Sequence, residues 1–219
     1  MVRLRHRTRP APQNPANPPD VTQPGEGQRM RIISGKKRGT NMMAPEGGQV
    51  RPTADRVREG LFNILSSRKY SDTLSSPVIA DIFAGTGMLG LEAWSRGAAQ
   101  VVFVENNSAA LAALKANISR LDMADAAVVV PRDATRNLAW PAGPAGLIFL
   151  DPPWRKTDDD PDLAHDALIN LIGIGAVAKG AIISIEHDRR RPATLTPGCS
   201  HLETRQWGKT ACTLIRYDG

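Results

Sequence analysis

From Pro77 onward the chain repeats one pattern: an apolar run of five or six residues, a short turn rich in small residues, then a stretch with helical periodicity. VIADIF, QVVFVE, AAVVV, GLIFL and AIISIE are the runs. MLGLEAWSRG, SAALAALKANISRL and DLAHDALINLI are the helical stretches, with Leu111, Leu114, Ile118 and Leu121 on one face of the second. Strands that read as continuous Val, Ile and Leu are buried on both sides, and helices between them let neighbouring strands run parallel through right-handed crossovers. The expected fold class is therefore α/β, a mostly parallel doubly wound sheet. The last segment differs. His201–Arg205 and Ala211–Tyr217 flank Gly208-Lys209 and read as an antiparallel hairpin that ends the sheet.

The first third has another texture. Residues 1–29 form a basic, proline-rich stretch with Arg3, Arg5, Arg7 and Arg9 and almost no large apolar side chains, which is expected to be a disordered tail. MRIISGKKRGTNMMAP reads as a β-hairpin with a basic turn. RPTADRVREGLFNIL reads as a helix capped by Thr53, with Val57, Leu61, Ile64 and Leu65 at helical spacing. The expected organisation is a tail at 1–29, a hairpin and helix extension at 30–75, and the α/β unit at 76–219. Residues 1–60 hold 12 Lys and Arg against 5 Asp and Glu, whereas 61–219 hold 16 against 17, so the surplus of +6 belongs to one end. A localised positive surface favours polyphosphate partners, nucleic acid first among them. No run approaches the roughly 18 apolar residues of a membrane-spanning helix, and no membrane role is expected. Cys199 and Cys212 show no metal-ligand spacing, so neither a metal site nor a disulfide framework is expected, and the expected compartment is the reducing cytosol.

Three strand ends carry polar chemistry. Asp81-Ile-Phe83-Ala84-Gly85-Thr-Gly87-Met-Leu-Gly90 sets G-x-G-x-x-G between a strand and its helix, where glycines allow a sharp turn, a close ligand and tight helix packing. That loop alone suits either a dinucleotide or S-adenosylmethionine. Glu105 follows the second strand, 24 positions after Asp81, where a carboxylate can accept from ribose hydroxyls. Asp133, after the third strand, is placed to accept from an adenine amine, and equally reads as a solvated loop aspartate. Asp151-Pro152-Pro153-Trp154 follows the fourth strand directly. Two prolines hold the chain extended and remove two N–H donors, so this strand end offers only acceptors beside a flat indole. Such a site suits an exocyclic amine on an aromatic ring, which favours methyl transfer over hydride transfer.

Asp-Pro-Pro-Trp resembles the [N/D]-P-P-[Y/F/W] motif of methyltransferases that act on amino groups. With MRIISGKKRG, RPTADRVREGLFNIL, DIFAGTGMLGLEAWSRGA, FVE and LIFLDPPWRK, residues 30–217 resemble the RsmD family, bacterial 16S rRNA guanine-N2 methyltransferases. The chain departs from the family pattern at Trp154, where Tyr or Phe is common, and at Gly60 within the helix. The resemblance implies a Rossmann-like S-adenosylmethionine-dependent fold and methyl transfer to the 2-amino group of a guanine in the small ribosomal subunit, by a monomer without metal. It implies catalytic roles for Asp151, Pro152, Pro153 and Trp154. Cofactor contacts are expected from Asp81, Phe83, Ala84, Gly85, Gly87, Glu105, Asn106, Asp133, Ala134 and Asp151. Candidate rRNA contacts are Lys36, Lys37, Arg38, Arg51, Arg56 and Arg58, with Arg155 and Lys156 nearer the base; Arg189-Arg190-Arg191 is a second basic run. Each of these cations also reads as part of a solvated charged face.

Two other readings fit parts of the sequence. Methylation of a DNA adenine or cytosine amine keeps the chemistry, but the chain is short for a target-recognition domain. An RNA-binding ribosome-assembly factor without activity keeps the basic surface, but the intact glycine loop and Asp151-Pro-Pro-Trp speak against it.

Overall fold

The computed structural model describes residues 30–44, 52–136 and 138–219, so the expected tail at 1–29 and the candidate Arg51 lie outside the described residues. The apolar runs form strands β1 (Val78–Ile82), β2 (Gln100–Val104), β3 (Ala127–Val130), β4 (Ala145–Leu150) and β5 (Val177–Asp188). Strands β6 (Cys199–Trp207) and β7 (Thr210–Tyr217) complete a sheet of order β3-β2-β1-β4-β5-β7-β6. The first five pair in parallel, and β7 lies antiparallel between β5 and β6. The expected hairpin at Gly208-Lys209 is present. β1 is buried along its whole length, as a strand with helices on both faces must be.

Among the described residues four α-helices cover the sheet: α1 (Pro52–Leu65), α2 (Met88–Ser95), α3 (Ser108–Arg120) and α4 (Leu163–Gly173). Because successive strand residues face opposite ways, the apolar strand positions divide into two cores. Ile79, Val101, Phe103, Leu147 and Phe149 pack with Leu61, Phe62 and Leu65 of α1, Leu91 and Trp94 of α2, and Leu114 and Ile118 of α3. Ala80, Ile82, Val102, Ile148 and Ile183 pack with Ala164, Leu168 and Leu171 of α4. Thus α1, α2 and α3 share one face and α4 holds the other. In the first core the Phe62 and Phe149 rings meet at 5.7 Å and 49°, a tilted contact worth about 1 kcal/mol beyond its buried area. Asn107 and Asp162 cap α3 and α4 by accepting from Ala110 N (3.0 Å) and His165 N (3.2 Å). Helix α1 instead begins at Pro52, whose missing N–H suits a first helical position, so Thr53 lies inside the first turn rather than capping it.

Two local expectations change. Residues 30–44 form a shorter hairpin than expected: one antiparallel bridge, Arg31 to Asn41, with Ile32 N donating to Thr40 O (3.1 Å), Met42 N to Met30 O (2.8 Å) and Gly39 N to Ile32 O (2.8 Å), around a turn at residues 34–39. Four other donors of the segment go to a helix and stop the ladder from lengthening past the turn. Glu92 of α2, fully buried, accepts from Ile33 N (2.7 Å) and Ser34 N (3.0 Å), while the Ser95 carbonyl and hydroxyl accept from Lys36 N (2.7 Å) and Lys37 N (3.0 Å). The segment is tied to a helix as well as to itself. Phe83 leaves the strand at φ 61°, so β1 ends at Ile82. Gly60 is explained by close approach, since a Cβ there would stand 2.5 Å from Trp207 Cζ2.

Glu92 also pairs with Arg96 Nε at 2.8 Å. Its loss strands two backbone donors and a guanidinium in a poorly hydrated place. Glu92→Ala is expected to cost about 2–4 kcal/mol, read as a fall of roughly 5–15 °C in Tm. Glu92→Gln, which keeps an acceptor, loses less. An unchanged Tm in Glu92→Ala would show that the 30–44 segment is not held this way.

Candidate active site

β1 and β4 are neighbours, yet the chain leaves β1 toward β2 on one side and β4 toward β5 on the other. Connections diverge there, and a crevice opens beyond the strand tips, the usual ligand position in an open α/β sheet. Two segments face it: Phe83–Gly87 after β1 and Asp151–Trp154 after β4. Asp151 N donates to Ile82 O across the gap at 3.4 Å, joining the two tips.

The glycine turn is shaped by the two positions where a side chain is excluded. Gly87 has φ 85°, and a Cβ on it would meet Leu114 Cδ1 at 2.4 Å. Gly90 lets α2 lie on β2, since its Cβ would meet Phe103 Cε1 at 2.4 Å. A Cβ on Gly85 would have no atom within 4 Å, so the turn offers bare backbone to open space. Around it the carboxylates do more holding than the sequence suggested. Asp81, 1% exposed, accepts from Gly90 N at 2.8 Å and fixes the start of α2. Glu105 accepts from Gly85 N (2.7 Å), Asn106 N (2.8 Å) and Asn107 N (2.7 Å). Those three bonds leave roughly one of its four lone-pair positions for a further donor. Ala84 N donates to Val104 O (3.0 Å), and Ala134 is buried. Asp133 accepts from Thr135 N (2.9 Å) and its hydroxyl (2.7 Å), which hold its carboxyl below the usual range while the residue stays exposed.

At the β4 tip Pro152 is buried, Pro153 exposed, and Asp151 and Trp154 half-buried. Asp151, Pro153 and Trp154 open onto a cleft of about 1110 Å³ whose other walls are Arg155, Lys156, Glu186, Asp188, Arg190, Arg191 and the Gly208-Lys209-Thr210 turn. A second cavity of about 30 Å³ lies against Trp154 between α4 and the end of β5. Among the described residues no group of three or more His, Cys, Asp or Glu is placed to hold a metal ion, and no helix is long and apolar enough to cross a membrane.

The RNA-contact candidates separate. Lys36, Lys37 and Arg38 sit by Ser95, where α2 ends at the sheet edge opposite the strand tips. The Lys36 ammonium lies 3.6 Å from the Trp94 ring centroid, and Lys37 Nζ pairs with Asp122 at 3.2 Å. Arg58 is a correction. It is 5% exposed, donates to Arg31 O at 2.7 Å and pairs with Asp55 at 3.1 Å, so a phosphate contact is closed to it. Arg56 is exposed on α1. Arg155 and Lys156 line the cleft, as does the 190–191 part of the second basic run. Sequence reasoning missed Glu186, Lys209 and Asn117. Asn117, fully buried, accepts from Met43 N (2.7 Å) and donates to Met43 O and Thr86 O (3.1 Å each), pinning the N-terminal segment to the glycine turn. Its signal was visible: an amide on the apolar face of a helix, between Leu114 and Ile118.

Burial pushes the Asp81 carboxyl well above the usual range, and the nearby Asp151 and Glu105 push the same way against the Gly90 N–H. The folded state therefore binds this proton more tightly than the unfolded chain, and the contribution to stability falls as pH rises above the ordinary carboxylate range. Relative to wild type, Asp81→Asn is expected to gain stability as pH rises above about 4, the ordinary carboxylate range, measured by denaturant unfolding. A pH-independent difference would contradict this.

Comparison with known proteins adds to this geometry. Residues 30–216 match the family model described as Conserved hypothetical protein 95. Ribosomal RNA small subunit methyltransferase D of Escherichia coli K12 is 39% identical over 169 residues, 75% of this chain and 77% of that protein. YlbH of Bacillus subtilis is 37% identical over 165 residues, 73% of this chain and 83% of that protein. The solved structure of YhhF from Escherichia coli superposes with a TM-score of 0.71 at 33% identity, covering 87% of this chain and 98% of its own. The doubly wound sheet, the glycine turn and the Asp151-Pro-Pro-Trp tip all fall within the matched span, and the chain belongs to the ribosomal RNA small subunit methyltransferase D family.

Proposed function

We propose that this protein methylates the exocyclic N2 amine of a guanine in 16S rRNA, with S-adenosylmethionine as donor. Its family makes it an rRNA methyltransferase; the base, the atom and the cofactor are our reading. The observation that carries it is the β4 tip: a carboxylate, a carbonyl without neighbouring N–H donors and a part-exposed indole, set at the β1–β4 crevice beside a basic cleft. The residues fit the cofactor. Bare backbone at Gly85 leaves room for an amino-acid end, Glu105 retains an acceptor for ribose, and Asp133 stands at the next strand end. When bound, S-adenosylmethionine supplies a methyl group on a positively charged sulfur.

The chain's own work is on the base. The N2 lone pair of guanine is delocalised into the ring, so the amine is a weak nucleophile and its orientation decides the rate. Asp151 and the Pro152 carbonyl accept its two hydrogens, which turns the lone pair toward the crevice and favours a tetrahedral nitrogen. Asp151 is then the acceptor at hand for the proton that N2 sheds. Trp154 stacks on the ring and fixes its plane. A paired base cannot reach this tip, so the target leaves its stack at a cost of a few kcal/mol.

Asp151→Ala is expected to lower kcat by about 100-fold or more while the protein still binds S-adenosylmethionine by calorimetry; an unchanged rate removes Asp151 from the reaction. The reading as a whole is tested by incubating the protein with isotope-labelled S-adenosylmethionine and small subunits from cells lacking it, then mapping the label by mass spectrometry. Label on N2 of one guanine is the expected result, and label on another base or atom refutes the assignment.

A further inference from the structure

The cleft beside Trp154 has a graded charge. Its carboxylates are recessed: Asp151 and Glu186 are half-buried and Asp188 is buried. Lys156, Arg190 and Lys209 are exposed at its margin. Arg190 is held in a set orientation. Its Nε and Nη2 donate to Asp188 Oδ1 and Oδ2 at 3.1 and 2.7 Å, yet its side chain is 70% exposed, so three of its five N–H donors remain on the outward edge. The same Asp188 oxygen accepts from Arg190 N at 2.9 Å, which fixes the backbone as well. The neighbouring turn is locked to it, since Arg189 N donates to Lys209 O at 2.9 Å. Lys156 is carried by a loop closed on Asp160, which accepts from Lys156 N (2.6 Å) and Thr157 N (2.9 Å). Three cations from three separate loops are thus presented at one rim, on backbone that is already fixed.

We propose that the rRNA strand crosses the β5–β7–β6 end of the sheet, with backbone phosphates on Lys156, Arg190 and Lys209 and the target base turned inward to Asp151 and Trp154. This deepens the functional reading above and rests on it. Phosphates are attracted to the rim and repelled by the recessed carboxylates, whereas an amine is accepted by those carboxylates, so charge alone sorts backbone from base. An outward guanidinium edge matches two phosphate oxygens at once. The basic turn at 36–38 is excluded from this strand by position, because it lies at the opposite edge of the sheet beside Ser95.

The test is a Lys156→Glu/Lys209→Glu double variant, at two exposed positions outside both apolar cores, with Arg190→Ala as a separate variant. Tm and S-adenosylmethionine binding check that each still folds. Filter binding of a 16S rRNA transcript, done without cofactor, is expected to weaken at least about 10-fold in the double variant, and the slope of log K against log salt to shrink by roughly 1.4–1.8. In the transfer assay KM for small subunits rises while kcat at saturation changes little. Unchanged transcript affinity and salt slope overturn the proposal, as does a loss confined to Arg38→Ala. Because binding is measured without turnover, weakened binding supports the cleft even where wild type transfers no label to N2, which would sink the functional reading alone.

Discussion

The crevice beyond β1 and β4 exists because the chain turns away from that junction in two directions. β1 feeds α2 and β2 on one side, β4 feeds α4 and β5 on the other, and the helices lie on opposite faces of the sheet. The loops leaving the two strand tips open onto the crevice between those diverging connections. The first connection supplies bare backbone at Gly85, and the second supplies the Asp151 carboxylate and the Pro152 carbonyl. Each is suited to a different reactant, and the Asp151 N to Ile82 O bond keeps the two within reach of one another.

Around that junction, buried polar side chains set the shape of loops that have no ladder of their own. Asp81 holds the first turn of α2, Glu105 gathers three backbone donors beside the glycine turn, Asn117 joins that turn to Met43, and Glu92 anchors the segment before it. Each satisfies backbone groups that would otherwise be desolvated without partners, a state costing about 1–3 kcal/mol per group. The crevice walls are held by this set of contacts as much as by apolar packing. The N-terminal segment is part of the same construction, since Ile32, Met42, Phe62 and Leu65 share one core with the central strands.

The strands and helices from Pro77 onward were legible because burial on both faces imposes a composition, near-continuous Val, Ile and Leu, that few other arrangements tolerate. The glycine turn and the Asp151-Pro-Pro-Trp tip were legible because they come directly after strands, where geometry is fixed by the sheet. The 30–44 segment was legible only in part, because its apolar runs close a one-bridge hairpin while four of its other donors go to Glu92 and Ser95, 58 to 59 residues away in sequence. Arg58 misled for a related reason: in sequence it stands with Arg51 and Arg56, and only the packing of α1 on residue 31 turns it inward. Lys209 was missed because a lysine in a hairpin turn is ordinary until the turn is seen to close a cleft that begins more than 50 residues earlier, at Asp151.

The central claim is that the donor and the target amine meet between the β1 and β4 tips. A crystal structure of the protein soaked with S-adenosylhomocysteine, the product the donor leaves behind, addresses it most directly. The amino-acid end of that molecule is expected against Phe83–Gly87, its ribose at Glu105 and its sulfur facing Asp151 across the crevice. Density for it in any other part of the molecule, or a sulfur turned away from Asp151, would contradict the claim.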